Sequence, residues 1–419
     1  MFTIHFNFDN KIYLVFITSI VLAINFRTTF KNVDLYMDLG DYPSTKFNPV
    51  AILIKNIICS FFLLFFYIIF RCNLSRIQVQ KQIIKTKIDN IVVMKEKDQI
   101  LKESFFDLIF RLHYLKDKKD KFKFILKNLL IITFIYFIEE AYFILANEHV
   151  MDRLFCAMRN LSIFMSLIVF YPIIFHKKFA IYRHQIWPLI INMVFSLILI
   201  IYNLGWSPNS RFFVIFNGQN LICYFSLFFL LGLEMILIKY LIDNQSLDIV
   251  FIIGVKGIIG TIVFSIINYY FSKKTFFELI DKLIIFEYDD LYEEFPFYYQ
   301  FFYVISLIAV QYCKCVLISQ LSETHYACSF MITDIGFFFF YAFERFILQD
   351  FGNKMLEEEI PLFCLNVVIG FLGLFLVSSI CEIIDFDCCN LNFNKNVKHN
   401  INKRQLSDIL SSNEFYSIL

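Results

Sequence analysis

The chain has 419 residues, of which 58% are Ala, Val, Ile, Leu, Met, Phe, Trp, Tyr or Cys; mean hydropathy is +0.63 and formal net charge +1. Soluble domains average roughly 45–50% apolar residues, so this composition is that of a chain built for lipid. The balance of 38 basic against 37 acidic residues gives no electrostatic case for a nucleic-acid partner.

A helix needs about 20 apolar residues to cross the hydrocarbon core. Runs of that kind occur at 11–25, 50–70, 124–146, 155–175, 186–202, 213–241, 249–271, 299–320, 326–346 and 361–380. The first is short and competes with a signal peptide, but the residues before it are not basic and no small-residue cleavage site follows. The expected fold class is therefore all-α: a polytopic membrane protein with about ten transmembrane helices. The roughly ten-residue alternation of a membrane β-barrel is not seen.

Loop charge orients these runs. Residues 71–123 hold fourteen Lys or Arg against seven Asp or Glu, which places the segment in the cytoplasm by the positive-inside rule. Ten crossings then put both termini in the cytoplasm. The basic loop 176–185 falls on the same side, whereas 273–296, with Asp289, Asp290, Glu293 and Glu294, and 350–359 fall on the other. The sequons at Asn73 and Asn244 face the cytoplasm and Asn160 lies within a span, so none reads as a glycan site.

Spacing divides the spans five and five. Spans four and five are joined by a short basic loop, spans nine and ten by a short acidic one. Because five is odd, the halves must be inverted, an arrangement that transporters use to build a midplane site between rocking repeats. The expected organisation is a first half at 1–203, which includes the cytoplasmic loop 71–123, a second half at 204–382, and a cytoplasmic polar tail at 383–419.

The stretch 213–265 resembles spans six and seven of the drug/metabolite transporter superfamily, especially its solute carrier family 35-like and EamA-like members. Glu234, Lys239, Gly254, Gly257 and Gly260 fill matching positions, with Lys256 standing where the family has Glu. The run 159–191, with its basic turn, is similar to the hairpin of spans four and five, and 381–402 to the segment after span ten. The resemblance implies a ten-helix carrier of organic metabolites such as nucleotide sugars, resident in an endomembrane (Golgi or ER). Its partners would be the bilayer, a small organic anion and, for oligomeric state, a homodimer.

Ionisable residues inside spans cost about 2.5–3.5 kcal/mol each at the centre on insertion scales and usually face a cavity or one another. At about 1.5 Å per residue, Glu234, Lys256 and Lys314 each fall roughly 10 Å deep, in one layer. A pair between Glu234 and either lysine would leave the other lysine for an anionic solute; all three could instead snorkel to the interface. Asp334 lies mid-span, where so short a carboxylate cannot snorkel, and is the strongest candidate to meet a solute, a lysine or a proton. Glu139 and Glu140 are adjacent, hence about 100° apart, so one of them, taken as Glu140, faces a common cavity. Tyr142, Asn220 and Tyr224 are polar groups able to line a pocket, with Tyr224 kept as a candidate. Arg159, Glu344 and Arg345 read as snorkelling near span ends. Gly254, Gly257 and Gly260 suit close helix packing, and Cys388 and Cys389 stand where palmitoylation occurs.

The eleven cysteines lack disulfide or zinc spacing, and no phosphate loop, HExxH or GxSxG motif occurs. No metal, cofactor or enzymatic activity is expected. The leading expectation is an alternating-access carrier; a multi-span chemosensory receptor or channel subunit, or a membrane-embedded transferase, stand as alternatives.

Overall fold

The computed structural model describes residues 4–6, 10–38, 49–63, 118–146, 153–176, 183–206, 218–245, 247–272, 297–348, 370–381 and 384–386, with single positions at 65 and 368. Within them the chain is almost wholly helical: α1 (Asn10–Asp38), α2 (Pro49–Ile58), α3 (Lys118–Ala146), α4 (Arg153–Phe175), α5 (Arg183–Trp206), α6 (Gly218–Asp243), α7 (Ile249–Ser272), α8 (Phe297–Gln320) and α9 (Glu323–Leu348), followed by an apolar helix α10 (Gly370–Ile380). Each coincides with one of the apolar runs. Among the described residues four stretches are long and apolar enough to cross a membrane, Phe155–Phe175, Ile222–Asp243, Ile249–Ile266 and Phe301–Gln320, with shorter apolar stretches at 12–28, 52–61, 189–198 and 370–380; this fits an integral membrane protein, with four rather than ten spans of full length described.

Two boundaries differ from the hydropathy reading. Helix α1 continues to Asp38, well past the apolar run that Arg27 interrupts. The helix packs on α8 and α9, with the Asn25 amide donating to Ser306 Oγ at 3.1 Å and the Thr333 hydroxyl to the Ser19 carbonyl at 3.0 Å; just past Arg27 the Thr28 hydroxyl lies 3.3 Å from Ser306 Oγ. Helix α2 passes into a π-helical turn, Cys59–Leu63, a wider coil that proteins use sparingly and often near functional sites.

The all-α expectation holds for the described residues, with one small addition. Two short strands, β1 (Ile4–Phe6) and β2 (Ile384–Phe386), pair antiparallel with His5 opposite Asp385. The segment before α1 thus touches the segment after α10, and β2 lies in what the sequence reading took as polar tail. Three-residue strands carry too little periodicity to be read from sequence.

Around a hydrophobic core, burial departs from that of a soluble protein in two ways. Phe16, Ile20 and Ile24 on α1, Leu130, Phe134 and Phe137 on α3, and Ile258, Ile262 and Ile266 on α7 recur at helical spacing on the outside, while Lys55, Arg159, Glu234, Lys256 and Lys314 are buried. Exposed Ile and Phe stripes are favourable against acyl chains and costly in water.

The principal neighbours are as follows. Helix α1 packs on α8 and α9, and α6 on α3 and α4; α2 packs on α8, and α7 on α3; α2 also meets α7, and α4 meets α9. At the α2–α7 contact, a Cβ added to Gly257 would lie 2.6 Å from the Ser60 nitrogen and 2.8 Å from the Asn56 carbonyl oxygen. Only a glycine lets the two backbones approach this closely.

The loops at 71–117, 273–296 and 350–359, the residues beyond 386 with Cys388 and Cys389, and the side chains of Asn220, Glu344 and Arg345 lie outside what the structure describes.

Candidate functional site

Six ionisable side chains from five helices meet in one buried cluster. Lys314 of α8 donates from Nζ to Glu139 Oε1 of α3 and to Glu234 Oε1 of α6, each at 2.6 Å. Lys256 of α7 pairs with the second oxygen of Glu139. Glu139 is therefore held between two lysines. Its neighbour Glu140 turns the other way and pairs with Lys55 of α2. The side chains of all six are at most 5% exposed, and three ammonium groups face three carboxylates, so the cluster carries no net charge. Such balance is what lets charges persist in a low-dielectric interior, where a lone ion would cost several kcal/mol.

A second cluster lies one helical turn along α3. Arg159 of α4 pairs with Asp334 of α9 and donates from Nη1 to the Tyr142 hydroxyl at 3.0 Å. Asn160 donates from Nδ2 to the other Asp334 oxygen at 3.1 Å. The Arg159 guanidinium also lies between two rings, 5.1 Å from the Phe26 centroid and 4.7 Å from that of Phe330, a seat for a delocalised cation. Tyr142 follows Glu139 by three residues, on the same face of α3. Tyr326 of α9 lies within electrostatic reach of Lys314, Glu234, Glu139 and Tyr142, and its ring packs on Phe330. The two clusters are thus joined by a patch of aromatic side chains.

Lys256, Lys314, Glu234 and Glu140 all lie in the first cluster, and Glu234 pairs with Lys314. None of them snorkels: the two carboxylates and both ammonium groups are buried. Asp334 lies in the second cluster, and its cation is an arginine rather than a lysine. Arg159, read as snorkelling, is fully buried; distance from a helix end says nothing about which neighbour covers that end. Tyr224 packs its ring on Phe155 and Phe228, at 5.5 and 6.5 Å. Lys239 bonds near a helix end, to Asp243 and the Ile318 carbonyl.

Several residues of the site were not singled out from the sequence, among them Glu139, Lys55 and Phe330. Glu139 has more cationic partners than Glu140, because α3 turns it toward α7 and α8. Lys55 was visible as a lone charge in the apolar run PVAILIKNII. Phe330 was hidden among 56 phenylalanines.

Two polar atoms of the first cluster keep unused capacity: Glu140 Oε2 and Glu234 Oε2 are buried without a hydrogen-bond partner among the described residues. The arrangement is suited to exchanging one ionic partner for another. A scan against protein-family models finds no match to this chain, and no curated protein matches it.

Proposed function

We propose that the protein is a carrier that moves a small organic solute across a membrane by alternating access, with ten crossings arranged as two inverted five-helix halves. Exchanging each helix for the one five places later turns several of the packing contacts between the halves into one another: α1 on α8 and α9 becomes α6 on α3 and α4, and α2 on α8 becomes α7 on α3. Individual residues follow the same exchange. Phe155 and Phe330 are 175 positions apart, and each holds a ring of the opposite half, Phe228 at 4.6 Å and Phe26 at 6.2 Å. Asn56 and Gly257, and likewise Cys59 and Gly260, are 201 positions apart; Asn56 meets Gly260 as Cys59 meets Gly257.

The observation that carries the reading is that Glu139 touches Lys314 and Arg159 touches Asp334, both pairs again 175 positions apart. Residues in contact with their own counterparts lie on the axis that relates the halves, and an in-plane axis runs along the bilayer midplane, where carriers of this kind hold their solute. The paired strands β1 and β2 support an even number of crossings, since they hold the two flanks of the helical region together.

The reading keeps the likeness to drug/metabolite transporters, with both termini in the cytoplasm and residence in an endomembrane. It is tested by counterflow. Proteoliposomes preloaded with an unlabelled metabolite mixture should take up labelled members of that mixture faster than empty ones, with saturation. Uptake that rises linearly with concentration and ignores preloading would indicate a channel and sink the carrier reading.

A further inference from the structure

At one end of the bundle α8 turns into α9 through Leu321 and Ser322, with the last turns of α6 alongside. Glu323 stands in the first turn of α9, outside the apolar runs, yet it is only 2% exposed. Its Oε2 is buried without a hydrogen-bond partner among the described residues. Unlike Glu139, Glu140, Glu234 and Asp334, Glu323 has no cation in an ion pair among the described residues. The nearby ammonium, that of Lys239, is bonded instead to Asp243 Oδ2 and to the Ile318 carbonyl oxygen, each at 3.2 Å.

Local effects act on this carboxyl in opposite directions. Burial pushes it above the usual carboxylate range; its own backbone N–H, left free by the first turn of a helix, and the charge of Lys239 pull it down, and the Asp243 carboxylate pushes it up again. Lys239 and Asp243 face it from α6 and Tyr171 from α4. From α8 comes the Ile318 carbonyl that Lys239 holds. On its own turn, His325 Nδ1 lies 2.6 Å from Ser322 Oγ.

The bond from Lys239 to Ile318 joins the last turns of α6 and α8. A neutral Glu323 makes no demand on that lysine and stays buried at a smaller cost than a charge would. An ionised Glu323 is a buried charge without a partner, which a protein interior tolerates poorly. It has two ways out, toward Lys239 or toward water. The two groups are not paired where they stand, so the first draws the lysine off Ile318 and Asp243; the second pulls the first turn of α9 from its seat.

We propose that Glu323 is a proton-binding site that controls this end of the bundle: with the proton on, α6, α8 and α9 stay tied, and with it off, the tie gives way and the turn from α8 to α9 loosens. The proposal does not depend on the carrier reading. In a carrier, such a site makes the opening of this end sensitive to pH on its side of the membrane.

The test uses the full chain in detergent and compares wild type with Glu323→Gln, whose amide stays neutral, at each pH, so that titration of the other groups cancels. A carboxyl raised in the folded state stabilises it fully only below the range of the unfolded chain, and the contribution is lost as pH rises through the folded value. The advantage of Glu323→Gln in melting temperature should therefore grow from about pH 5 to about pH 9. Over the same range, hydrogen-exchange protection of the segment 317–325 should fall in wild type by about tenfold or more relative to the variant. A melting gap that does not change with pH overturns the proton site, and equal protection in the two proteins at both pH values overturns its control of the turn. Should Glu323→Gln fail to fold, Lys239→Gln takes its place. Without the tie, its 317–325 segment should already be poorly protected at about pH 5; protection equal to that of wild type there overturns the proposal.

Discussion

Arg159 has the most partners of any side chain in the site, and its removal should be the most damaging single change there. Arg159→Ala strips Asp334 of its cation inside the bundle, and breaking a buried pair from one side costs about 3–5 kcal/mol. Arg159→Lys should recover only part of the loss, because an ammonium cannot fill the planar seat between Phe26 and Phe330 while bonding Tyr142 and Asp334 together. The double change Arg159→Leu with Asp334→Leu should be closer to wild type than Arg159→Ala alone. Thermal melting in detergent measures all three; a double variant as unstable as the single would show that the pair is not what holds α4 to α9. Glu139 and Glu140 give a second contrast. Glu139→Gln removes the counter-charge of two lysines and Glu140→Gln that of one, so the first should lower the melting temperature more. The sequence showed four of the six first-cluster members as charges in apolar runs marked for a site, but not their partners. Adjacent Glu139 and Glu140 look alike until α7, α8 and α2 are set around α3.

Among the helices, the closest approach is that of α2 and α7. Gly257→Ala places a methyl group against the α2 backbone, which cannot move as a side chain can. Overpacking of this kind costs about 1–3 kcal/mol. Gly336 on α9 has open space where its Cβ would go, so Gly336→Ala is the matched control and should leave stability unchanged. Equal melting temperatures for the two variants would contradict the close crossing. The existence and order of the helices were legible because long apolar runs bounded by charge admit few other readings. Their ends were less so. Helix α1 passes through Arg27 and the π turn follows α2 for reasons of packing, which hydropathy does not register.

For the whole molecule, the division into halves came first from loop spacing and gains support from residues that meet their counterparts. Under the proposed exchange of halves it is not legible as sequence identity, since the positions it would pair carry opposite charges: Glu139 would stand where the second half has Lys314, and Arg159 where it has Asp334. A search for similar residues would score these as mismatches. The strand pair ties the flanks of the helical region together, so cysteines placed at 5 and 385 should crosslink readily under mild oxidation, and cysteines at 5 and 206 should not. Crosslinking of neither pair would argue against the clasp. The ion pairs that join the halves are the claim on which the account turns. The most direct measurement of it is counterflow into proteoliposomes by wild type, Gly336→Ala and Glu139→Gln, each first checked for a monodisperse fold. Saturable, preload-stimulated uptake by the first two and its loss in Glu139→Gln is the predicted result; undiminished uptake by a folded Glu139→Gln variant would contradict it.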